Sequence, residues 1–335
     1  MAFPLALTQE PPRRNAVNLM APRCSVIILN YNGKHFLDGC LGSLRTQTCN
    51  DFQTLLVDNG SQDGSAEYVA QNFPEVRVLA LPENIGFCAG NNRGMADAIS
   101  RGAESVLLLN NDTRVAPDFM EHMLAAGSQD TSIAVICPKI YFMEQPDRFW
   151  YAGGTFSLWT SRSRHLGWKE VDHGQFDQQR DITAATGCAM LVRTSAIEQV
   201  GRLREDFWAY CEDVEWTLRF LEQGYRVVYE PRSRIWHYDG GTTVGRGSAS
   251  RRQYLSTRNL LRLGRHHVRW FQFPTFLLGF LVFHVGYYSC LRLLRRDYRA
   301  FWAIYQGIIH SFQPHAGEGP DPIEARSWIA HKTQS

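Results

Sequence analysis

The chain has 335 residues, of which 44% are hydrophobic, so it can bury one large core or two smaller ones. Its formal net charge of +2 excludes a general attraction to nucleic acid, and we expect no nucleic-acid partner. The charge is unevenly distributed, because residues 251–299 contain ten arginines and a single acid, Asp297. The sequence is therefore a mildly acidic body with a basic carboxyl-terminal end.

The eight cysteines are scattered along the chain and form no CxxC pair. Several lie in apolar runs such as CSVIIL (24–29), a pattern that favours reduced, buried thiols of a cytosolic protein over a disulfide framework or a zinc site. The amino-terminal apolar run in MAFPLALTQEPPRR is too short for a secretory signal. We expect residues 1–21 to be a flexible lead-in and residues 316–335 to be a flexible tail.

From Cys24 onward, short aliphatic runs alternate with longer amphipathic segments. The runs predict buried strands at 24–29, 53–58, 76–81, 105–109 and 133–137. Helices are predicted between them, near 35–46, 64–73, 88–101 and 117–126. This alternation predicts an α/β fold with a mostly parallel sheet flanked by helices. Ligands bind such sheets at the carboxyl ends of the strands, where Asp58 and Asp112 lie.

Residues 139–182 lose this rhythm and become rich in aromatic residues, arginine and glycine. Strand character resumes in GCAMLVR (187–193), and a helix is predicted from Glu212 to the glycine stop at Gly224. The last strand-like pieces are YRVVYEP and SRIWHY. No GxGxxG follows the first strand and no GxxxxGK[ST] occurs, so neither a dinucleotide site nor a P-loop is indicated.

Two of the acids that end strands admit both a structural and a functional interpretation. Asp58 and Asp112 could each be a turn residue that caps the following element. Asp58 could instead accept the imide N–H of a pyrimidine base. Asp112 could bind the cation that accompanies a nucleotide diphosphate, since oxygen ligands suit Mg²⁺ or Mn²⁺.

A second group of polar residues follows later in the chain. Glu212 and Asp213 open a predicted helix, where the helix dipole lowers the cost of negative charge. His237 follows Asp213 at the end of an aromatic strand. A lone histidine is more often a satisfied core residue than a ligand, so these residues alone do not identify a site.

Seven short segments occur in a fixed order along the chain. They are LNYNG (29–33), LLVDNGSQDGS (55–65), NIGFCAGNNRG (84–94), LLLNNDTRVAPDF (107–119), TGCAMLVR (186–193), YCEDVEW (210–216) and IWH (235–237). Together they resemble the family-two inverting glycosyltransferases of the GT-A fold, and in particular the branch described as rhamnosyltransferases. The resemblance covers roughly residues 24–260 and implies the GT-A fold, sugar transfer and a divalent cation, Mg²⁺ or Mn²⁺.

The resemblance implies a nucleotide site made by six asparagine and aspartate residues. Asp58 would bind the uracil or thymine ring, with Asn30 beside it. Asn91 would line the nucleotide site, together with its neighbour Asn92. The segment from Asn110 and Asn111 onward matches the family's DxD element, and both asparagines would contact the nucleotide.

The resemblance also implies the metal ligands and the base. Asp112 would bind the metal as the last residue of the DxD element, and His237 resembles a second metal-binding position found in part of the family. Asp213 would be the general base. Asn110 departs from the family pattern, because it stands where the element has its first acid and so removes one charge.

The acceptor site is predicted from the aromatic segment and from the neighbour of the base. Trp150 and Trp159 could stack on sugar rings, and Glu212 lies beside the predicted base. The alternative is that these tryptophans pack the hairpin of residues 141–170.

The carboxyl-terminal region is predicted to contact a membrane. Residues 270–291 carry no formal charge and are flanked by arginines, and their length suffices for a membrane span. Gln272, Pro274 and His284 weaken a span and favour helices lying in the interface of an anionic membrane. The soluble alternative is a helical pair packed on the catalytic domain. We therefore expect a catalytic domain at 22–250 and a basic, hydrophobic helical region at 251–315.

The sequence thus predicts a metal-dependent inverting glycosyltransferase at the cytoplasmic face of the cell membrane. Its donor would be a dTDP- or UDP-sugar, with dTDP-L-rhamnose favoured by the resemblance, and its acceptor a glycan or lipid-linked glycan of the cell surface. Two alternatives stay open, a polyprenyl-phosphate sugar synthase and a non-catalytic sugar-nucleotide-binding scaffold. Asn110 keeps the second alternative open.

Overall fold

The computed structural model describes residues 23–239 and 248–313. The predicted flexible segments, 1–21 and 316–335, lie outside the described residues. The strands are β1 (Cys24–Asn30), β2 (Phe52–Asn59), β3 (Arg77–Leu81), β4 (Ser105–Asn110), β5 (Thr113–Val115), β6 (Ile133–Phe142), β7 (Phe149–Tyr151), β8 (Gly154–Ser157), β9 (Arg162–His165), β10 (Arg180–Asp181), β11 (Ala189–Arg193) and β12 (Arg226–His237). The helices are α1 (Lys34–Arg45), α2 (Ser65–Asn72), α3 (Phe87–Ser100), α4 (Phe119–Gln129), α5 (Thr194–Val200), α6 (Glu212–Glu222), α7 (Ser248–His267), α8 (Phe273–Gly279), α9 (Tyr287–Leu294) and α10 (Tyr298–His310).

A mixed sheet of ten strands, counted over the described residues, forms the centre of the molecule. Its order is β10-β12-β6-β11-β4-β1-β2-β3, with β5 paired to β12 and β7 paired to β6. The long pairs β1–β2, β1–β4, β2–β3 and β6–β12 are parallel, whereas β11 runs antiparallel between β4 and β6. The predicted mostly parallel sheet is therefore present, with antiparallel strands added to it.

The central strands are apolar along their whole length because both faces of the sheet are covered. Val26, Ile27 and Ile28 are successive residues of β1 that point to alternate faces, and all three are fully buried. Helices α3, α4 and α6 pack on the sheet. All eight cysteines are free, and five of them are buried.

The last two strand-like pieces of the sequence, YRVVYEP and SRIWHY, form one strand, β12, whose register against β6 shifts between Glu230 and Arg234. Pro231 lies in this irregular stretch, where its lack of a backbone N–H breaks no ladder hydrogen bond. Residues 139–182, where the rhythm of the sequence is lost, contain the end of β6 and the short strands β7 to β10.

The carboxyl-terminal helices pack against the sheet domain and against each other. Helix α7 contacts α6 and α10, and it begins at Ser248, three residues before the predicted region. Helix α8, a π-helical turn and α9 form one continuous helix, Phe273–Leu294. Within the described residues, this is the one helix long and apolar enough to cross a membrane, and 22% of its most apolar window is buried.

Candidate active site

The carboxyl ends of β1, β2 and β4 bring three of the predicted nucleotide residues into one hydrogen-bonded chain. Asn30 and Asp58 are register partners on adjacent parallel strands, and Asn30 Nδ2 donates to Asp58 Oδ1 at 3.2 Å. Asn111, just after β4, donates from Nδ2 to Asn30 Oδ1 at 2.7 Å. The other carboxylate oxygen of Asp58 accepts from the Ser61 N–H at 3.2 Å. All three predicted residues are buried, so these bonds fix their orientation.

A close approach of the backbone supports this chain. A Cβ at Gly33 would lie 2.3 Å from Asn111 Nδ2 and 2.7 Å from Asn30 Oδ1, far inside van der Waals contact. Gly33 starts helix α1 directly after the strand that carries Asn30. The glycine is therefore required for the two amides to meet.

The short strand β5 brings the two predicted metal ligands together. Thr113, next to Asp112, is the register partner of His237 at the end of β12. The His237 Nε2 lies 3.3 Å from Asp112 Oδ1, and the two side chains are 8% and 1% exposed. The described part of the chain offers Asp112 Oδ1 no partner other than this imidazole, and His237 Nδ1 is buried without a hydrogen bond. Unsatisfied buried polar atoms of this kind indicate a missing ligand such as a cation.

These two residues fit a cation that takes its remaining ligands from elsewhere. The described residues contain no cluster of three histidine, cysteine or acidic ligands. Mg²⁺ commonly takes only one or two protein carboxylates and completes its shell with phosphate and water. Burial alone would lower the pKa of His237, but Cys188 and the Asp112 carboxylate raise it well above its usual value. A cation would therefore compete with a proton at this imidazole.

The predicted base lies in the first turn of α6. Asp213 Oδ2 accepts a hydrogen bond from the Gly187 N–H at 2.9 Å, and Oδ1 accepts from the Val214 N–H at 2.8 Å. Burial raises the pKa of Asp213, and these two N–H donors offset part of the effect. Glu212 is buried, and its pKa is raised well above the usual range by burial and by the neighbouring Asp213 charge. A raised pKa makes a carboxylate a stronger base.

Consecutive backbone groups connect the base to the strand that leads to Asp112. The Gly187 N–H holds Asp213, and the carbonyl of Cys188 accepts from the Asn110 N–H at 2.9 Å. Burial raises the pKa of the Cys188 thiol, the neighbouring His237 lowers it, and the charges of Asp112 and Asp213 raise it. The two hydrogen bonds tie the start of α6 and the end of β4 to consecutive residues of one segment.

Trp150 and a histidine that sequence reasoning missed lie beside this pair of carboxylates. The Trp150 ring meets the His237 ring edge-to-face at 4.7 Å and the His165 ring at 4.8 Å. Burial lowers the pKa of His165, and this histidine in turn lowers the pKa of Asp213. His165 sits alone in a stretch of arginines and aromatics, and no sequence spacing singled it out.

Other predicted site residues have their described contacts elsewhere. Asn91 donates from its amide to the Phe87 carbonyl of its own helix at 3.0 Å, and Asn92 donates to the Leu203 carbonyl at 2.9 Å. Asn110 is half-buried at the end of β4. Trp159 is 50% exposed, and its ring lies 6.0 Å from that of Phe271 in the carboxyl-terminal region. Their roles in nucleotide or acceptor binding stay predictions.

The loop that leads into α6 is strained. Trp208, Tyr210 and Cys211 have φ angles of 64°, 68° and 66°, although none of them is glycine. Each such conformation costs on the order of 1–3 kcal/mol and persists only where surrounding contacts impose it. The Trp208 ring packs on Gly86, where a Cβ would lie 2.6 Å from the ring.

Comparison with known proteins identifies the family. The family model described as glycosyl transferase family 2 matches residues 25–201. An N-acetylglucosaminyl-diphospho-decaprenol L-rhamnosyltransferase of Mycobacterium tuberculosis is 27% identical over 276 residues, 74% of this chain and 86% of that protein. The dTDP-rhamnosyl transferase RfbF of Shigella flexneri is 23% identical over 251 residues, 72% of this chain and 80% of that protein.

A solved structure shares the fold at lower identity. The mannosyltransferase PcManGT of Pyrobaculum calidifontis, solved in complex with GDP-Man and Mn²⁺, superposes with a TM-score of 0.53 at 14% identity, covering 88% of each chain. The chain belongs to glycosyl transferase family 2. It is a glycosyltransferase, and the predicted GT-A-like fold is confirmed.

Proposed function

We propose that this glycosyltransferase inverts the anomeric centre as it transfers L-rhamnose from dTDP-rhamnose to a saccharide or lipid-linked saccharide acceptor. The product would be a cell-surface glycan made on the cytoplasmic face. The names of the relatives from M. tuberculosis and S. flexneri support rhamnose as the sugar and dTDP as the carrier.

One observation carries the proposal. Two adjacent residues, Gly187 and Cys188, make hydrogen bonds toward both proposed functional carboxylates. The Gly187 N–H donates to the Asp213 carboxylate, and the Cys188 carbonyl accepts from the N–H of Asn110, two residues before Asp112. A diphosphate bound at one carboxylate and an acceptor hydroxyl bound at the other would thus share one cleft.

The side chains would divide the work as follows. Asn30, Asp58 and Asn111 would bind the base and ribose of the nucleotide in the orientation that their mutual hydrogen bonds fix. Asp112 and His237 would hold Mg²⁺ or Mn²⁺, which when bound stabilises negative charge on the leaving diphosphate. Neither metal is favoured by the residues present.

Asp213 would act as general base on the acceptor. Its carboxylate must come within about 2.6–3.2 Å of the attacking hydroxyl oxygen, on the face opposite the leaving group. The acceptor hydroxyl then loses its proton to Asp213 as its oxygen bonds to the anomeric carbon and the nucleoside diphosphate departs. Trp150, beside His237, is placed to cover a sugar ring.

We further propose that the carboxyl-terminal helices lie on the inner face of the cell membrane. Large apolar side chains are exposed along this region, among them Trp270 at 86%, Leu278 at 62% and Leu294 at 83%. Arginines flank the apolar helix and would attract anionic headgroups. This location would suit an acceptor carried on a polyprenyl lipid.

The test of the proposed function is Asp213→Asn in a nucleotide-release assay with dTDP-rhamnose and UDP-sugars. We expect turnover to fall by roughly 10²–10⁴-fold, the usual contribution of a general base, while calorimetry shows unchanged dTDP binding. Glu198→Gln, which alters an exposed acid of α5, is the control. Turnover by Asp213→Asn at the rate of the control would exclude Asp213 as the base.

The same assay separates the other possibilities. Free polyprenyl phosphate as the better acceptor would identify a polyprenyl-phosphate sugar synthase, and binding without any turnover would identify a scaffold. Chelation of divalent cations should stop the reaction, and added Mn²⁺ or Mg²⁺ should restore it.

Because burial raises the pKa of Asp213, activity should be lost on acidification at a pH above the ordinary aspartate value of 3.8.

A further inference from the structure

Helix α7 turns a buried polar face toward the catalytic domain. Arg258 and Asn259 are completely buried, and Arg262 is 5% exposed. Burying a guanidinium or an amide is costly unless hydrogen bonds replace the lost water. Their acceptors include main-chain carbonyls of residues 206–210, the loop that leads into α6.

The Asn259 amide makes the most concentrated of these contacts. Its Nδ2 donates to the carbonyls of Phe207 at 2.8 Å, Ala209 at 2.8 Å and Tyr210 at 2.7 Å. Two hydrogens serve three acceptors, so one N–H is shared. Arg258 Nε donates to Asn259 Oδ1 at 3.0 Å, and this bond fixes which side of the amide faces the carbonyls.

Arg258 adds a second layer to the same loop. Its Nη2 donates to the carbonyl of Asp206 at 3.2 Å and to that of Phe207 at 3.0 Å. The side chains of the loop also pack on α7, where Tyr254 and Leu255 form a small core with Trp208 and Tyr210. The loop is therefore held by its backbone as well as by its side chains.

These contacts fall on the strained residues that precede the base. Trp208, Tyr210 and Cys211 adopt left-handed φ angles, and Glu212 and Asp213 follow immediately. Without external support, side-chain-bearing residues relax from such angles. Relaxation would move the start of α6 and, with it, the carboxylate that Gly187 and Val214 orient.

We propose that Asn259, with its amide oriented by Arg258, is a positioning residue that holds the 206–211 loop in its strained form and so sets the place of Asp213. The inference rests on the proposed function, in which Asp213 is the base. It makes α7 a part of the catalytic machinery rather than a tether between the enzyme and the membrane.

The experiment uses the full-length chain and the variant Asn259→Asp, which keeps the shape of the side chain but has no N–H donor. Asn259→Ala tests the loss of the whole group, and Asn259→Gln retains a donor on a longer stem. Thr257→Val is the matched control, because Thr257 is also fully buried on α7 but bonds to Gln253 and His284.

Three measurements are made on each variant that melts cooperatively. We expect kcat to fall roughly 100-fold in Asn259→Asp and Asn259→Ala, the cost of a catalytic group displaced by about 1 Å, with a smaller loss in Asn259→Gln. The Kd for dTDP should stay within about threefold of wild type, because the nucleotide residues lie at β1, β2 and β4. Amide hydrogen exchange should accelerate in residues 206–213 and not in β1 or β2.

The controls separate this inference from the proposed function. A kcat within about threefold of wild type in Asn259→Asp, or an equal loss in Thr257→Val, would overturn the positioning role even if Asp213→Asn is inactive. If Asp213→Asn remains active, the base assignment fails instead. Hydrogen exchange needs no turnover, so unchanged exchange in residues 206–213 of Asn259→Asp overturns the inference whatever the reaction proves to be.

Discussion

The residues proposed to bind the nucleotide are ordered by a glycine beside them, which leaves space for their side chains to meet. Asn30 ends β1 and Asn111 follows β4, yet their amides meet at 2.7 Å because Gly33 leaves room for them. Asp58 receives its hydrogen bond from the same Asn30 amide. We expect the geometry of all three side chains to depend on residue 33.

Gly33→Ala tests this dependence. The new Cβ would displace the Asn111 and Asn30 amides, so we expect dTDP affinity to fall about tenfold or more as buried hydrogen bonds are lost. Isothermal calorimetry measures the change.

Gly42→Ala, in the middle of helix α1, is the matched control. A Cβ there meets nothing within 4 Å, so this variant should bind dTDP normally and gain about 0.5–1 kcal/mol of stability. Equal affinity of the two variants would show that Gly33 does not organise the site.

Helices α6 and α7 contact each other where a histidine of α7 lies between two glutamates of α6. His267, near the end of α7, lies with Nε2 3.4 Å from Glu215 and Nδ1 2.7 Å from Glu222 of α6. Its side chain is 3% exposed, and Glu215 also pairs with Arg219. Burial alone would lower the pKa of His267, but the two carboxylates raise it above the usual value of 6.5.

This raised pKa makes the stability of the α6–α7 junction dependent on pH. The stabilising effect is fully present below the unfolded-state pKa near 6.5 and is lost as pH rises through the higher pKa of the folded state. His267→Gln should therefore destabilise the protein by roughly 1–2 kcal/mol at pH 6 and by clearly less at pH 9.

Urea denaturation at both pH values measures the difference. His173→Gln is the control, because His173 is an exposed histidine far from this junction and its replacement should change stability little at either pH. A loss that is the same at pH 6 and pH 9 would contradict a role for the charged imidazole.

The carboxyl-terminal part of the described chain exposes many apolar side chains. The exposed apolar side chains concentrate in residues 270–312, and Phe312 is 70% exposed there. Contiguous exposed apolar surface of this kind marks an interaction site. The Phe273–Leu294 helix also touches the hairpin of β8 and β9, where a Cβ at Gly279 would lie 2.2 Å from the Thr160 carbonyl.

Vesicle binding tests the proposed membrane contact. Leu278→Glu and Leu294→Glu place charge on the exposed apolar surface, and each should weaken binding to anionic vesicles by about tenfold or more without changing the melting temperature. Ala125→Glu, at an exposed position of α4, is the control. Binding that is unaffected by either leucine substitution would show that this surface does not dock on the membrane.

The sequence predicted the central strands well because burial on both faces leaves a simple signal. The predicted strands 24–29, 53–58, 76–81 and 105–109 agree with β1 to β4 to within one residue at each end. The same rule failed for residues 139–182, where the strands are two to four residues long apart from the end of β6. Such short strands at the edge of a fold carry too few alternating positions to be recognised.

The candidate site residues could be predicted from the sequence where they belong to a short local motif. Asp58, Asp112 and Asp213 each lie in a short segment with family character, and their positions at the ends of strands or the start of a helix follow from the same segments. His165 had no such signal, and the contacts that Asn259 makes with Phe207, Ala209 and Tyr210, far away in the chain, could not be read from its own segment.

The α/β order, the glycosyltransferase family and the carboxylates at the ends of elements could be read from the amino-acid sequence, since each is encoded in contiguous residues. The contact of Asp112 with His237 beside β5 and the support that α7 gives to the strained loop before Asp213 became visible only in the folded chain. Hydrogen bonds between distant main-chain and side-chain groups, and the backbone angles that they impose, leave no periodic trace in the sequence.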